Sequence, residues 1–336
     1  MPTPRRIIIT SFVVNAIQRR DELVASITDI TYSDPLEAAA SRLEITFGVT
    51  QPIANLNINN FIEVKFKYST DAQEFNTGTH KIDSVERGMN PGTWMIGAIA
   101  YDFQLGLASI KSWKYTNSTL SSIVNNIAGQ TTPVLTVQGD PDSSLLVGTS
   151  QSNVVGSAVV EEERTALALL KKLAQKYGYA FNLKYGQLRF ESFELLSARA
   201  AVANYTNTDL NKGTKYQASA LGTLRTALAY YQDPTPLTYI SYIDNGAYKQ
   251  DSVSFDNEGY YRTQAAALLR SKGGLREANL RQDGGKLELE GETFLYAGRR
   301  IQLLNGSNFV SYLIDRAYHR LNKDGWRCSL DVFLLR

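Results

Sequence analysis

The chain has 336 residues, 43% hydrophobic and 20% charged, which is room for two or three domains and shows none of the apolar depletion that marks disorder. Thirty-five Lys and Arg against thirty-three Asp and Glu leave a formal charge of +2 with no long block of one sign, so the charge does not point to nucleic acid. A single cysteine, Cys328, excludes an intrachain disulfide; in its alternating apolar stretch it is expected to be a buried structural thiol, in keeping with assembly in a reducing cytoplasm.

At the N-terminus Arg5 and Arg6 precede an apolar run over 7–17 of signal-peptide length, but Thr10, Ser11 and Asn15 interrupt it and no small-residue cleavage site follows, so a strand is expected. No segment reaches the roughly 18 apolar residues of a membrane span, and a soluble protein with no membrane partner is expected. Residues 5–108 are strand-rich. Leu43, Ile45 and Phe47 alternate with Glu44 and Thr46, and Ile62, Val64, Phe66 and Tyr68 with Glu63, Lys65 and Lys67; Asn90-Pro91-Gly92 supplies a turn before Trp94.

Over 109–205 the period becomes helical. Leu120, Ile123, Val124 and Ile127 predict a short helix capped by Asn117 or Ser118, with Gly129 beyond its end. A second helix carries Ala166, Leu169, Leu170, Leu173, Ala174 and Tyr177 on one face, with Glu161, Glu162 and Glu163 in its first turn and Gly178 closing it. Phe181, Leu183, Leu188 and Phe190 around Tyr185-Gly186 predict a hairpin. After 206 strands return, interrupted by a helix with Tyr261, Ala265 and Leu268 on one face and Gly273-Gly274 at its end. Gly284-Gly285 is expected as a turn, and strands are expected over 294–304, 309–318 and 326–334.

Two regions resemble each other. Ile82, Asp83, Asn90 and Trp94 recur as Ile314, Asp315, Asn322 and Trp326 at one constant offset. Upstream, Tyr32-Ser33-Asp34-Pro35 is echoed by Tyr231-Gln232-Asp233-Pro234, and Leu43-Glu44 by Leu287-Glu288. These matches predict a mainly β fold with an inserted α/β module: a first tube-like β-barrel over 1–108, an α/β middle domain over 109–205, and a second, similar barrel with one helix over 206–336. Trp94 and Trp326 are expected to anchor the two barrel cores.

Asp34 with Ser41-Arg42-Leu43-Glu44-Ile45-Thr46-Phe47, Glu163-Arg164-Thr165-Ala166-Leu167 through Tyr177-Gly178-Tyr179 and Phe181, and then Leu289, Gly291, Ala297-Gly298, Tyr312-Leu313-Ile314, His319 and Gly325-Trp326 together resemble the phage late control protein D family, the baseplate hubs of contractile tails and related injection systems. The polar stretch over 55–60 departs from the family pattern, which has a Gly-Asp turn there. The resemblance implies a homotrimer and a structural role with no cofactor. Two similar barrels in each of three chains make a pseudo-sixfold ring, which would adapt a sixfold tail tube to a trimeric spike and nucleate tube assembly. The implied partners are the spike, the tail tube or tube-initiator protein and the tape-measure protein, with DNA only as transiting cargo. The implied place is the virion tail baseplate, assembled in the bacterial host cytoplasm.

Enzyme signatures are missing from the sequence. There is no P-loop, no Gly-x-Gly-x-x-Gly, no Gly-x-Ser-x-Gly and no His-Glu-x-x-His; the two histidines, His80 and His319, fall in separate strands and are expected to be half-exposed there, with no metal site. The alternative reading is a peptidoglycan-binding tail module, because residues 115–123 resemble the opening of a LysM repeat without its Gly-Asp pair.

Overall fold

A computed structural model describes residues 6–19, 22–37, 40–48, 56–89, 92–100, 107, 110–131, 134–145, 147, 159–185, 187–218, 226–232, 237–243, 252–254, 261, 264–279 and 283–335. The chain runs through β1 (Ile7–Val14), β2 (Ile17–Gln18), the single turn α1 (Glu22–Ala25), β3 (Ile27–Pro35), β4 (Arg42–Phe47), β5 (Phe61–Tyr68), β6 (Phe75–Asn76), β7 (His80–Met89) and β8 (Gly92–Ala100). Next come β9 (Ile110–Thr116), α2 (Leu120–Gly129), β10 (Thr136–Gly139), β11 (Val159–Thr165), α3 (Ala166–Tyr177), β12 (Tyr179–Lys184), β13 (Gln187–Ser192), α4 (Phe193–Ala198) and β14 (Ala201–Tyr205). The last part holds β15 (Lys215–Ala218), β16 (Thr226–Gln232), β17 (Leu237–Ile243), β18 (Ser252–Ser254), α5 (Gln264–Asn279), β19 (Asp283–Glu290), β20 (Arg300–Asn305), β21 (Asn308–Asn322) and β22 (Gly325–Leu334). The period-two alternation is realised as expected: in β5, Ile62, Val64, Phe66 and Tyr68 are buried and the residues between them half-buried.

One large sheet runs in the order β15-β19-β22-β21-β3-β4-β8-β7-β5-β1-β2, with β20 and β14 branching from β21 and β6 from β5. The branch arises because β21 is long: its first part pairs with β20, and residues 316–322 pair on that edge with β3 instead. The path β3-β4-β8-β7-β5-β1 in the N-terminal half has the counterpart β15-β19-β22-β21-β20-β14 in the C-terminal half. Leu43 faces Ala98 across β4 and β8, and Leu287 faces Leu330 across β19 and β22; Ala98 and Leu330 stand at the offset that relates Trp94 to Trp326. Both β7 and β21 are bulged at the repeated aspartate, at Asp83 between Ile82 and Ser84 and at Asp315 between Ile314 and Arg316. The halves also differ, since β1 is antiparallel to β5 and β14 is parallel to β20. Among the described residues the path is open, ending at β15 and β2.

The middle elements enclose their own core, with Leu120, Ile123 and Ile127 of α2, Leu169, Leu170 and Leu173 of α3, and Phe181 and Phe190 of the β12–β13 hairpin. Three local expectations are corrected there. Thr119, not Asn117 or Ser118, caps α2, its Oγ1 accepting the Ser122 N–H at 3.2 Å, and Gly129 is the last helical residue rather than the one beyond. Thr165 caps α3, accepting from the Ala168 N–H at 3.1 Å, so the helix starts at Ala166. Glu161, Glu162 and Glu163 therefore lie in β11, whose backbone groups pair with β9, and not in the first helical turn. Gly178 does close α3, at φ 73.

The same core takes Ala229, Tyr261, Ala266 and Ala267 from beyond residue 206, because α5 lies against α3. The expected face of Tyr261, Ala265 and Leu268 is not the one used: Ala265 is exposed, and Tyr261 precedes the helix and bridges to Tyr231. Gly273-Gly274 does not end the helix, which continues to Asn279. Gly273 serves close approach instead, since a Cβ there would stand 2.7 Å from both Gly178 N and the Lys176 carbonyl oxygen. Gly273→Ala is accordingly expected to destabilise by about 1–3 kcal/mol in denaturant unfolding, as overpacking does. Gly129→Ala, whose Cβ would have nothing within 4 Å, serves as the near-neutral control.

Gly284 and Gly285, expected as a turn, sit inside β19, where a Cβ would strike the main chain of β22 or β15. The strand expected over 294–304 is confined to Arg300–Asn305.

Candidate functional site

The strand β12 is buried along its whole length. Tyr179, Phe181 and Leu183 enter the middle core, so Asn182 and Lys184 face the opposite way, against the end of β3. Lys184 Nζ lies 2.6 Å from Asp34 Oδ2, with the two side chains 4% and 1% exposed. The Ala297 N–H donates to the same oxygen at 3.1 Å, and Asn182 Nδ2 donates to the Pro35 carbonyl at 2.9 Å. Aromatic rings surround the ammonium, with Tyr296 at 4.2 Å, Tyr185 at 5.1 Å and Tyr32 at 5.8 Å from Nζ to the ring centre. The Tyr185 hydroxyl donates to the Asn76 carbonyl at 2.8 Å. Segments from the N-terminal half, the middle hairpin and the loop before β20 are thus fastened at one buried point.

Both histidines flank this junction, and both are buried rather than half-exposed. The carbonyl of Gly78 can only accept, so His80 Nδ1 donates to it at 3.0 Å and Nε2 accepts from the Ser41 hydroxyl at 3.1 Å. In the same way His319 Nε2 donates to the Leu295 carbonyl at 2.7 Å, and Nδ1 accepts the Trp326 indole N–H at 3.2 Å. Each ring is used as a neutral imidazole. A signal for this was present in the sequence: His80 shares its strand phase with Ile82, and His319 with Leu321, both of which are buried.

Of the repeated positions, Ile82 and Ile314 are buried; Asp83 is exposed and Asp315 half-buried at their bulges. Asn90 lies outside the described residues, as do Asp233 and Pro234. Asn322 ends the β21–β22 hairpin, its Oδ1 accepting the Asp324 N–H at 2.9 Å. Trp94 is half-buried at the rim of the N-terminal core, with the Arg87 guanidinium 5.8 Å from its ring centre. Trp326 is 2% exposed, but it does not anchor the core of its own half. Its ring packs on Phe66 at 4.9 Å, Tyr68 at 5.3 Å and Phe75 at 5.7 Å, in the N-terminal core, carried there by the β21–β3 pairing.

Burial dominates the electrostatics. It lowers the Lys184 amine, against the opposing pull of Asp34, and holds His80 at about 4 and His319 at about 3. It pushes the Tyr32 and Tyr185 phenols well up, Tyr296 to about 12, and the Cys328 thiol far above its ordinary range. Two surface cavities, of about 630 and 910 Å³, lie away from this cluster, the first beside Tyr179 and Arg276 and the second beside Arg6 and Lys323. Among the described residues no group of three or more His, Cys, Asp or Glu is placed to hold a metal, and no helix is long and apolar enough to cross a membrane. In the segment over 115–123, Leu120 and Ile123 are buried in the middle core, so they offer no face to a sugar. What the junction does chemically is bind remote stretches of the chain to one another.

No family model and no curated protein matches the sequence. Solved structures share the fold over nearly the whole chain. The tail protein from Neisseria meningitidis MC58 superposes with a TM-score of 0.67 at 13% identity, over 98% of this chain and 96% of that one. The 43 kDa tail protein of prophage MuSo2 from Shewanella oneidensis gives 0.66 at 13%, over 97% of each. The E. coli c3393 protein, described as a component of the type VI secretion system with structural similarity to the T4 bacteriophage tail proteins gp27 and gp5, gives 0.53 at 12%, over 98% of this chain and 77% of that one. The chain therefore has the fold of phage tail and type VI secretion proteins.

Proposed function

We propose that the chain is the structural hub of a contractile phage-type tail baseplate, of the late control protein D kind, and works by geometry instead of turnover. The observation that carries this reading is the end-to-end likeness of fold to tail proteins. In this reading the two matching strand paths are the two barrels of the proposed division at 108 and 205, with α5 packed into the middle module. Three chains then present six similar barrels to a sixfold tube, while their threefold arrangement accepts a trimeric spike. Among the described residues the sheet ends at β15 and β2, and in this reading those ends are the pairing edges for such a ring; Tyr216 on β15 is 49% exposed. The tape-measure protein is a further neighbour, and DNA passes through the ring as cargo at the virion tail, after assembly in the host cytoplasm.

Mass measurement of the purified chain with its cognate spike is expected to give three copies of each. A stable dimer, or any other stoichiometry, would overturn the adaptor reading even with both repeats intact.

A further inference from the structure

Asn182 already fastens β12 to the Pro35 carbonyl with an uncharged hydrogen bond, so holding these strands together does not require a buried ion pair. Attraction repays the desolvation of an ammonium and a carboxylate only where their remaining lone pairs and protons are satisfied, and Asp34 Oδ1 is buried with no hydrogen-bond partner. We propose that Lys184 and Asp34 condense after folding into an intramolecular isopeptide bond that ties β12 covalently to β3.

In water such a condensation is opposed by the ionised forms of both groups and by the excess of water. Here both obstacles are removed. Nζ and Oδ2 are held at 2.6 Å, which replaces a bimolecular encounter by a fixed one, and Tyr32, Tyr185 and Tyr296 shield the pair from solvent. Burial also favours the free amine of Lys184, the nucleophilic form.

The step balances without a co-reactant. One ammonium proton passes to the carboxylate, giving amine and acid; Nζ attacks Cγ, and the negative charge of the adduct rests on Oδ2, where the Ala297 N–H already donates. A second proton moves from nitrogen to Oδ1, the Cγ–Oδ1 bond breaks, and one water leaves. The third proton stays on the amide nitrogen, and nothing is oxidised or reduced.

Intact mass spectrometry of the folded, full-length chain, followed by digestion and peptide sequencing, decides the matter. The expected result is a chain lighter by one water, with a branched peptide joining the stretches that hold Asp34 and Lys184, and full mass in Lys184→Arg. Full mass in the wild-type chain, with Asp34 and Lys184 recovered in separate peptides, overturns the proposal. So does a water lost without the branched peptide, since that loss lies elsewhere. The wild-type chain carries both outcomes, so a variant that fails to fold does not blunt the test.

Discussion

Replacing Trp326 with alanine is expected to cost about 3–5 kcal/mol, the range for deleting a fully buried large aromatic side chain. The loss has two parts. The first is a cavity against Phe66, Tyr68 and Phe75, in a core to which Trp326 is foreign by sequence position. The second is His319 Nδ1, which would lose the indole N–H and be left unpaired in the interior. Because β22 and β21 belong to one half and the surrounding rings to the other, the mutation is expected to uncouple the halves as well as weaken one of them. Denaturant unfolding followed by tyrosine fluorescence and by circular dichroism checks both points: a lower midpoint, with the two probes no longer coincident. Trp94→Ala, at the half-buried equivalent position, is expected to cost less. Equal losses in the two variants would show that the indole at Trp326 is no more deeply engaged than the one at the rim.

What could be read in advance was local. The alternation in β5 and the apolar face and glycine stop of α3 need only near neighbours, and the structure has them where they were expected. The β21–β22 hairpin is also local, with Asn322 facing Gly325 across a two-residue turn. β7 and β21 are bulged at Asp83 and Asp315, and nothing in the residues says that an aspartate there marks a bulge. What stayed hidden depends on which surface covers which. Lys184 is ordinary in a strand until Asp34, a remote residue, is laid over it. Gly273 signals a helix end by propensity, but contact with Gly178 overrides propensity and keeps the helix going. The glutamates at 161–163 have the composition of a helix start, and pairing with β9 decides otherwise.

Stability is expected to fall steeply between pH 6.5 and pH 4.5, and the two histidines of the chain are the cause. In the folded protein burial holds His80 at about 4 and His319 at about 3; in the unfolded chain both return to about 6.5. Above 6.5 the imidazoles are neutral in both states, and their full contribution to stability is present. As the pH falls below 6.5 the unfolded chain binds two protons that the folded chain refuses, so stability declines until the folded groups themselves titrate. Each histidine contributes a slope of up to about 1.4 kcal/mol per pH unit, so the pair removes on the order of 3–5 kcal/mol by pH 4.5. Free carboxylates begin to titrate only toward the lower end of this window, so the decline between pH 6.5 and pH 5.5 is the part that separates the effect from general acid unfolding. Denaturant midpoints at pH 7, 5.5 and 4.5 measure it, and His319→Gln, which retains a donor for the Leu295 carbonyl, is expected to halve the slope. A wild-type midpoint unchanged from pH 7 to pH 4.5 would mean that the folded chain accommodates charged imidazoles at these positions, against the hydrogen bonds that Gly78, Ser41, Leu295 and Trp326 make with them.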